Sequence, residues 1–303
     1  MGCRVAASPG HTSRRASMSD LLAVLAFSWI PLAGAFSFSL AAAPLGALLS
    51  LRDELLLGLA LPPVGAAAIV IAVWLGIPGT ATLQLYGVAV GGILLVTLVM
   101  PHRSGSASPR WRVAFLASVF CAGEAVTLVV SSVSTSVEAH MQHMLRGELL
   151  AIGPSGLIGF GILTAVVLSS AYLYRGYLFA LAVDEEGLRI RNPRRAGRVL
   201  LGFRVLSAVI IAAGVIWVGP LLTIALLAVP TMFHERRARG LARLMIGVGV
   251  IGALSVLIGF AGAIAGDLPP SPMVVGALFA SGLTLGLLTA GKTRPVGAGV
   301  HRS

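Results

Sequence analysis

Long apolar runs make up most of this chain, and short polar links separate them. The runs cover residues 21–51, 55–77, 81–100, 113–133, 157–183, 199–218, 221–232, 244–264 and 273–290. Most reach the ~20 residues that a helix needs to cross the hydrocarbon core of a bilayer. No water reaches backbone N–H and C=O groups in that core, so each run must satisfy them along its own length, as a helix does. The pattern predicts an all-α fold, a polytopic transmembrane bundle of about 8–9 helices.

Two runs depart from the simple form. The first holds Pro31 and Pro44, which predicts a kink or a split. The seventh is too short to span alone, and Gly219-Pro220 separates it from the sixth. Short or interrupted segments in transporters often line the pathway, because irregular backbone survives at membrane depth only under cover of protein or water. Gly87-x-x-x-Gly91, Gly262-x-x-x-Gly266 and Gly282-x-x-x-Gly286 allow close helix approach, and packing inside one bundle is their expected use. Residues 1–20 read as a polar basic tail, 21–291 as the membrane domain and 292–303 as a second basic tail.

Composition agrees with this class. Of 303 residues, 57% are hydrophobic and only 11% charged, where a soluble domain carries about a quarter. A net charge of +11 raises the question of nucleic acid. Its arginines, however, sit in short links between spans rather than along one stripe. Arg103, Arg110 and Arg112 fall in one link, Arg189, Arg191, Arg194, Arg195 and Arg198 in another, and Arg236, Arg237, Arg239 and Arg243 in a third. Lys292, Arg294 and Arg302 close the chain. The intervening links hold Glu138, His140, His143, Glu148 and Asp267, with Arg146 as their one fixed positive charge.

Positive residues beside membrane spans stay on the cytoplasmic side, so the asymmetry sets an orientation. It predicts a protein in contact with membrane lipid, multi-pass in a bacterial cytoplasmic (inner) membrane, and it makes nucleic acid an unexpected partner. Nine crossings with the C-terminus inside put the N-terminus outside, against the preference of Arg4, Arg14 and Arg15. A start at Met18, or a first run that does not cross, would remove the conflict. Cys3 and Cys121 offer no disulfide framework.

Four places carry candidate chemistry. Glu138-Ala-His140-Met-Gln-His143 sets two imidazoles three residues apart, and on a helix they share one face. With Glu148 nearby, two histidines and carboxylates suit zinc, copper or nickel; a pair of exposed histidines at a membrane surface is the plainer reading. Glu124 is the acid inside an apolar run, where a carboxylate faces a cavity or a partner. It is a candidate for the permeation pathway, or for a pairing with Arg204 or Arg175. Asp184-Glu185-Glu186 is an acidic cluster on the basic face, followed by Arg189. It is either a solvated turn or a docking element. Gly153-Pro-Ser155-Gly156 has the form of the rhomboid serine protease signature, with His234 as the candidate base. The two are expected near opposite faces.

Several motifs in order resemble the permease subunits of the zinc/manganese/iron class of ABC importers. Leu145-Arg-Gly-Glu148-Leu-Leu resembles that family's Leu-Phe-Gly-(acidic)-Ile-Leu ahead of a transmembrane helix. Arg175 precedes Asp184-Glu-Glu186 at the family's distance, where the family's Asp-x-Glu-x-Ala-x-x-x-Gly loop touches the ATPase. Leu221-Leu-Thr-Ile-Ala225-Leu-Leu-Ala-Val-Pro230 and Asp267-Leu-Pro-Pro-Ser-Pro272 are similar to two further family stretches.

The resemblance implies a permease without an ATPase site or bound cofactor of its own, importing a divalent metal such as zinc or manganese by alternating access. It implies ATP on a cytoplasmic ATP-binding-cassette partner, an extracytoplasmic solute-binding protein, and a homodimer or a sister permease. Asp184, Glu185, Glu186 and Arg189 then fall in the ATPase-coupling loop, and Glu138, His140, His143 and Glu148 become the metal candidates. The first half departs from the family. Its Gly-Asp-x-Leu-x-His on the second helix reads Gly58-Leu59-Ala-Leu-Pro-Pro63, and its Glu-Asp after the third helix reads Arg110-Trp-Arg112. Leu188 and Asn192 replace the loop's Ala and Gly. Three alternatives stay open: a metal chelate or other solute on the same scaffold, a non-transporting membrane partner, and a hydrolase using Ser155.

Overall fold

A computed structural model describes residues 18–78, 81–100, 108–134, 137, 152–238 and 240–290. These residues form eleven α-helices and no strand: α1 Met18–Leu51, α2 Leu55–Trp74, α3 Thr82–Val99, α4 Pro109–Val133, α5 Pro154–Leu173, α6 Arg175–Val183, α7 Glu185–Arg191, α8 Pro193–Trp217, α9 Pro220–His234, α10 Leu241–Gly266 and α11 Pro270–Ala290. Among them, seven helices are long and apolar enough to cross a membrane, and α9 and α11 are shorter apolar helices.

Helix ends follow the turn chemistry of the sequence. Ser108 caps α4 by accepting from the Trp111 N–H at 3.3 Å, with Pro109 in the first turn. Asn192 does the same for α8, accepting from the Arg195 N–H at 3.2 Å ahead of Pro193. Chain reversal after α1 uses Asp53 in the left-handed region (φ 51°), with Glu54 N–H donating to the Leu49 carbonyl and Asp53 N–H to that of Ser50. This paired arrangement closes the last open carbonyls of a helix. Gly76 ends α2 in the same way, and at the end of α10 the N–H groups of left-handed Asp267 and of Leu268 both donate to the Ala263 carbonyl.

Of the expected kink or split in the first run, the split does not occur. α1 runs unbroken through Pro31 and Pro44, because neighbouring helices bury the backbone around them. The expected fifth run is instead interrupted at Tyr174, which separates α5 from the nine-residue α6.

α1, α2 and α9 form the centre of the bundle. α10 lies antiparallel to α1, with Gly249 beside Leu40 and Ala43 and Gly252 beside Ser39. α9 runs parallel to α1. Phe38 and Thr223 meet at Gly214 of α8, Gly46 meets Leu227 and Thr231, and the Ser50 hydroxyl donates to Glu235. Nearly every residue of α9 from Pro220 to Thr231 is buried, so this short helix sits in the core of the bundle.

An aromatic chain joins four helices: Phe38 to Phe160 (5.5 Å between ring centres), Phe160 to Trp217 (5.0 Å) and Trp217 to Tyr86 (6.2 Å). Close approach elsewhere depends on glycine. A methyl at Gly259 would come within 2.4 Å of the Val274 Cα, which brings α10 and α11 into backbone contact. Of the three small-residue pairs, Gly262 and Gly266 pack on Met273 and Leu268, and Gly282 and Gly286 pack on Phe233. Gly87 and Gly91 face open space, so that pair does not serve packing within the bundle.

Candidate functional site

One end of the bundle gathers charge. Arg52, directly after α1, is 3% exposed, Glu54 7% and Glu185 9%. The Arg52 Nε–H donates to Glu54 Oε2 at 2.7 Å, and Nη2 donates to Glu54 Oε1 at 3.2 Å and to Glu185 Oε2 at 3.0 Å. Nη1 donates to the Leu181 carbonyl at 3.0 Å, and the guanidinium lies 5.5 Å from the centre of the Phe203 ring. Glu54 Oε1 also accepts from Arg112 Nη2 at 3.1 Å. Burial works against the charge on Arg52. The hydrogen bond and charge of Glu54, with the charge of Glu185, outweigh it, and the pKa rises above its ordinary value. A buried guanidinium is tolerable only with this many partners.

Beside this network stands the short helix α7. Asp184 caps it, accepting from the Gly187 N–H at 2.8 Å. Asp184, Glu186 and Arg189 are exposed, whereas Glu185 is turned into the bundle. The acidic cluster is therefore split: part of it is presented outward and one member is structural. Arg52 and Glu54 escape a reading that follows only the arginine-rich links. Their signal is the charged triplet Arg52-Asp-Glu54 between two apolar runs.

Farther along the membrane helices, Glu124 stands half-buried on α4. Neither proposed partner meets it. Arg175 lies 5.2 Å over the Tyr172 ring, and Arg204 is within electrostatic reach of Glu54, Glu185 and Arg52. The preceding residue, Gly123, presses on Pro63, where a methyl would fall 2.9 Å from the Pro63 carbonyl carbon. Pro63 is buried in this contact and Leu59 is half-buried on the same helix. The two positions where the resembling family keeps Asp and His thus carry apolar side chains.

Glu138, His140, His143 and Glu148 lie outside the described residues. Among the described residues, no group of three His, Cys, Asp or Glu side chains is placed to hold a metal ion. Ser155 opens α5 beside Ile152, which packs at Gly34. His234 closes α9, next to the Glu235 that binds Ser50. Gly34 and Ser50 are sixteen residues apart on α1, about 24 Å along the axis. A serine–histidine pair does not form.

One stretch bears on ATP. Against the expectation that the chain holds no phosphate-binding loop pattern, Gly286-Leu-Leu-Thr-Ala-Gly291-Lys292-Thr293 has its spacing. Such a loop needs free backbone N–H groups between a strand and a helix. Here the first five positions continue α11, so their N–H groups belong to a helix and no cradle forms from them.

This arrangement of helices recurs in known proteins. The family model described as ABC 3 transport family matches residues 27–290. The chain belongs to the ABC 3 transport family. A solved structure of PsaBC from Streptococcus pneumoniae in complex with Fab is 16% identical. It covers 89% of this chain and 95% of its own, with a TM-score of 0.74. A transporter described as metal-chelate type ABC, in an inward-facing conformation, is 15% identical over 91% of both chains, with a TM-score of 0.65. Well-characterised proteins include none that matches this chain by sequence. As an ABC 3 member the chain is a multi-pass membrane subunit of a transporter, and the family implies ATPase and solute-binding partners.

Proposed function

We propose that this ABC 3 permease imports a divalent metal ion, zinc or manganese, across a bacterial cytoplasmic membrane. The observation that carries the reading is the family match from 27 to 290, joined to a shared fold with PsaBC over most of both chains. A cytoplasmic ATP-binding-cassette ATPase seats on α7 through Asp184, Glu186 and Arg189, which face outward there. A solute-binding protein docks on the opposite side. A second copy or a sister permease completes the path, and ATP stays on the partner. ATP binding and hydrolysis there favour one of two arrangements of the bundle over the other, which is alternating access. Glu124 is the carboxylate placed along the path, and His140, His143, Glu138 and Glu148 receive the ion at its entry.

A second reading, a metal chelate as cargo, draws on two observations. Leu59 and Pro63 are apolar where the resembling family keeps Asp and His, and one solved structure of this fold is described as metal-chelate type. The complex in proteoliposomes separates the two. Manganese(II) and zinc(II) uptake should exceed uptake of iron(III) citrate, and replacing His140 and His143 together with alanine should lower it about tenfold. Unchanged metal uptake in the double variant ends the ligand assignment. Faster uptake of the citrate complex favours the chelate.

A further inference from the structure

We propose that Arg52 is a positioning residue for energy coupling, tying α7 to the transmembrane core so that a displacement of α7 moves α1, α2 and α4 with it. This rests on reading α7 as the ATPase contact.

The connection runs through a chain of hydrogen-bonded ion pairs. Glu185 stands in the first turn of α7 and is bound to Arg52, which follows α1. Arg52 is bound to Glu54, which precedes α2. Glu54 is bound to Arg112 in the first turn of α4. Twelve residues along α4, about 18 Å by helical rise, comes Glu124. Hydrogen-bonded ion pairs and the α4 helix thus join the exposed acids of α7 to the carboxylate within the membrane helices.

Three physical points favour a mechanical role. A seven-residue helix is not stable by itself, so tertiary contacts set where α7 sits. Its inward contacts are Glu185 and the half-buried Leu188, which packs on the core, because Asp184, Glu186 and Arg189 face out; Glu185 is the polar one, bound at fixed geometry. Second, buried charge is a poor way to gain stability, since apolar side chains of equal volume do as well or better. What a guanidinium adds is geometry. Its planar fork holds Glu54, Glu185 and the Leu181 carbonyl at fixed angles, and it keeps its proton at any working pH. Third, the Phe203 ring covers the guanidinium, so water does not loosen the contact.

The test uses the full complex in proteoliposomes: this chain, its ATPase and its binding protein. Three quantities are read: ATPase retained on the tagged chain, basal ATP hydrolysis, and the rise in hydrolysis when binding protein is added. In Arg52→Gln and Glu185→Gln, retention and basal hydrolysis should persist, while the rise falls about tenfold. Arg52→Lys keeps the charge but not the fork, and should recover only part of the rise. Glu186→Lys, on the outward side of the same helix, should lower retention itself. If Arg52→Gln does not assemble, Glu185→Gln carries the same comparison, since it keeps the Arg52–Glu54 pair. An undiminished rise in variants that retain the ATPase would overturn the proposal, and so would a proportional loss of retention and rise. Failure of the unaltered chain to retain an ATPase would overturn the underlying reading instead.

Discussion

Single residues in this protein act through what surrounds them more than through their own chemistry. Glu124 and Glu185 are both carboxylates in a largely apolar molecule. Glu185 accepts from a guanidinium and is buried. Glu124 is half-exposed on α4, outside every ion pair among the described residues. An unneutralised carboxylate at membrane depth is costly and persists where it meets water, an ion or a partner. If it meets the cargo, Glu124→Gln should lower manganese(II) or zinc(II) uptake about tenfold, with a melting temperature in detergent equal to or above that of the parent. Unaltered uptake would return Glu124 to an ordinary structural role. Sequence position alone flagged Glu124 correctly as an acid within a span, yet it offered Arg204 and Arg175 as partners. Those guesses failed because nearness in a bundle depends on which faces the helices turn to one another.

At the scale of elements, glycine and proline decide how closely helices pack. Gly123 admits Pro63 of α2 against α4, and Gly259 admits the backbone of α11 against α10. Valine at 259 would drive a methyl into main-chain atoms that have no rotamer to escape into. Gly259→Val should cost about 1–3 kcal/mol, measured as a fall in melting temperature in detergent. Retained stability would show that α11 can shift away freely. The spacing of Gly87 and Gly91 looks identical to the other pairs in sequence, but only the structure shows that it is left unpacked. The short seventh run was legible as an oddity, and its helix boundaries were nearly right. Its place in the core was not legible, because α9 is apolar on every side and periodicity then gives no direction.

Over the whole molecule, the links at 52–54, 184–192 and 235–238 come together at one end. Arg52 meets Glu185 there, and Ser50 meets Glu235. The arginine-rich links in the sequence predict that this end faces the cytoplasm. A reporter active only in the cytoplasm should therefore work when fused after Arg194 and fail when fused after Leu268. The reverse result would invert the topology and remove α7 from the ATPase.

The membrane-crossing runs and their order follow from sequence because the bilayer forces the answer, whereas the break at Tyr174 and the short α7 do not. Each apolar run must close its own hydrogen bonds, and each arginine must stay out of the hydrocarbon. Rules of this local kind also govern Asp184 at a helix start and Asp53 and Asp267 at helix ends, as the structure shows. They are silent on pairs distant in the chain. Arg52 and Glu185 are 133 residues apart, and Arg112 and Glu54 are 58. Only the packing of α1, α2, α4 and α7 brings those charges within 3.2 Å. That is why the tertiary structure, and no reading of spacing, reveals one buried guanidinium joining the outward-facing helix to the core.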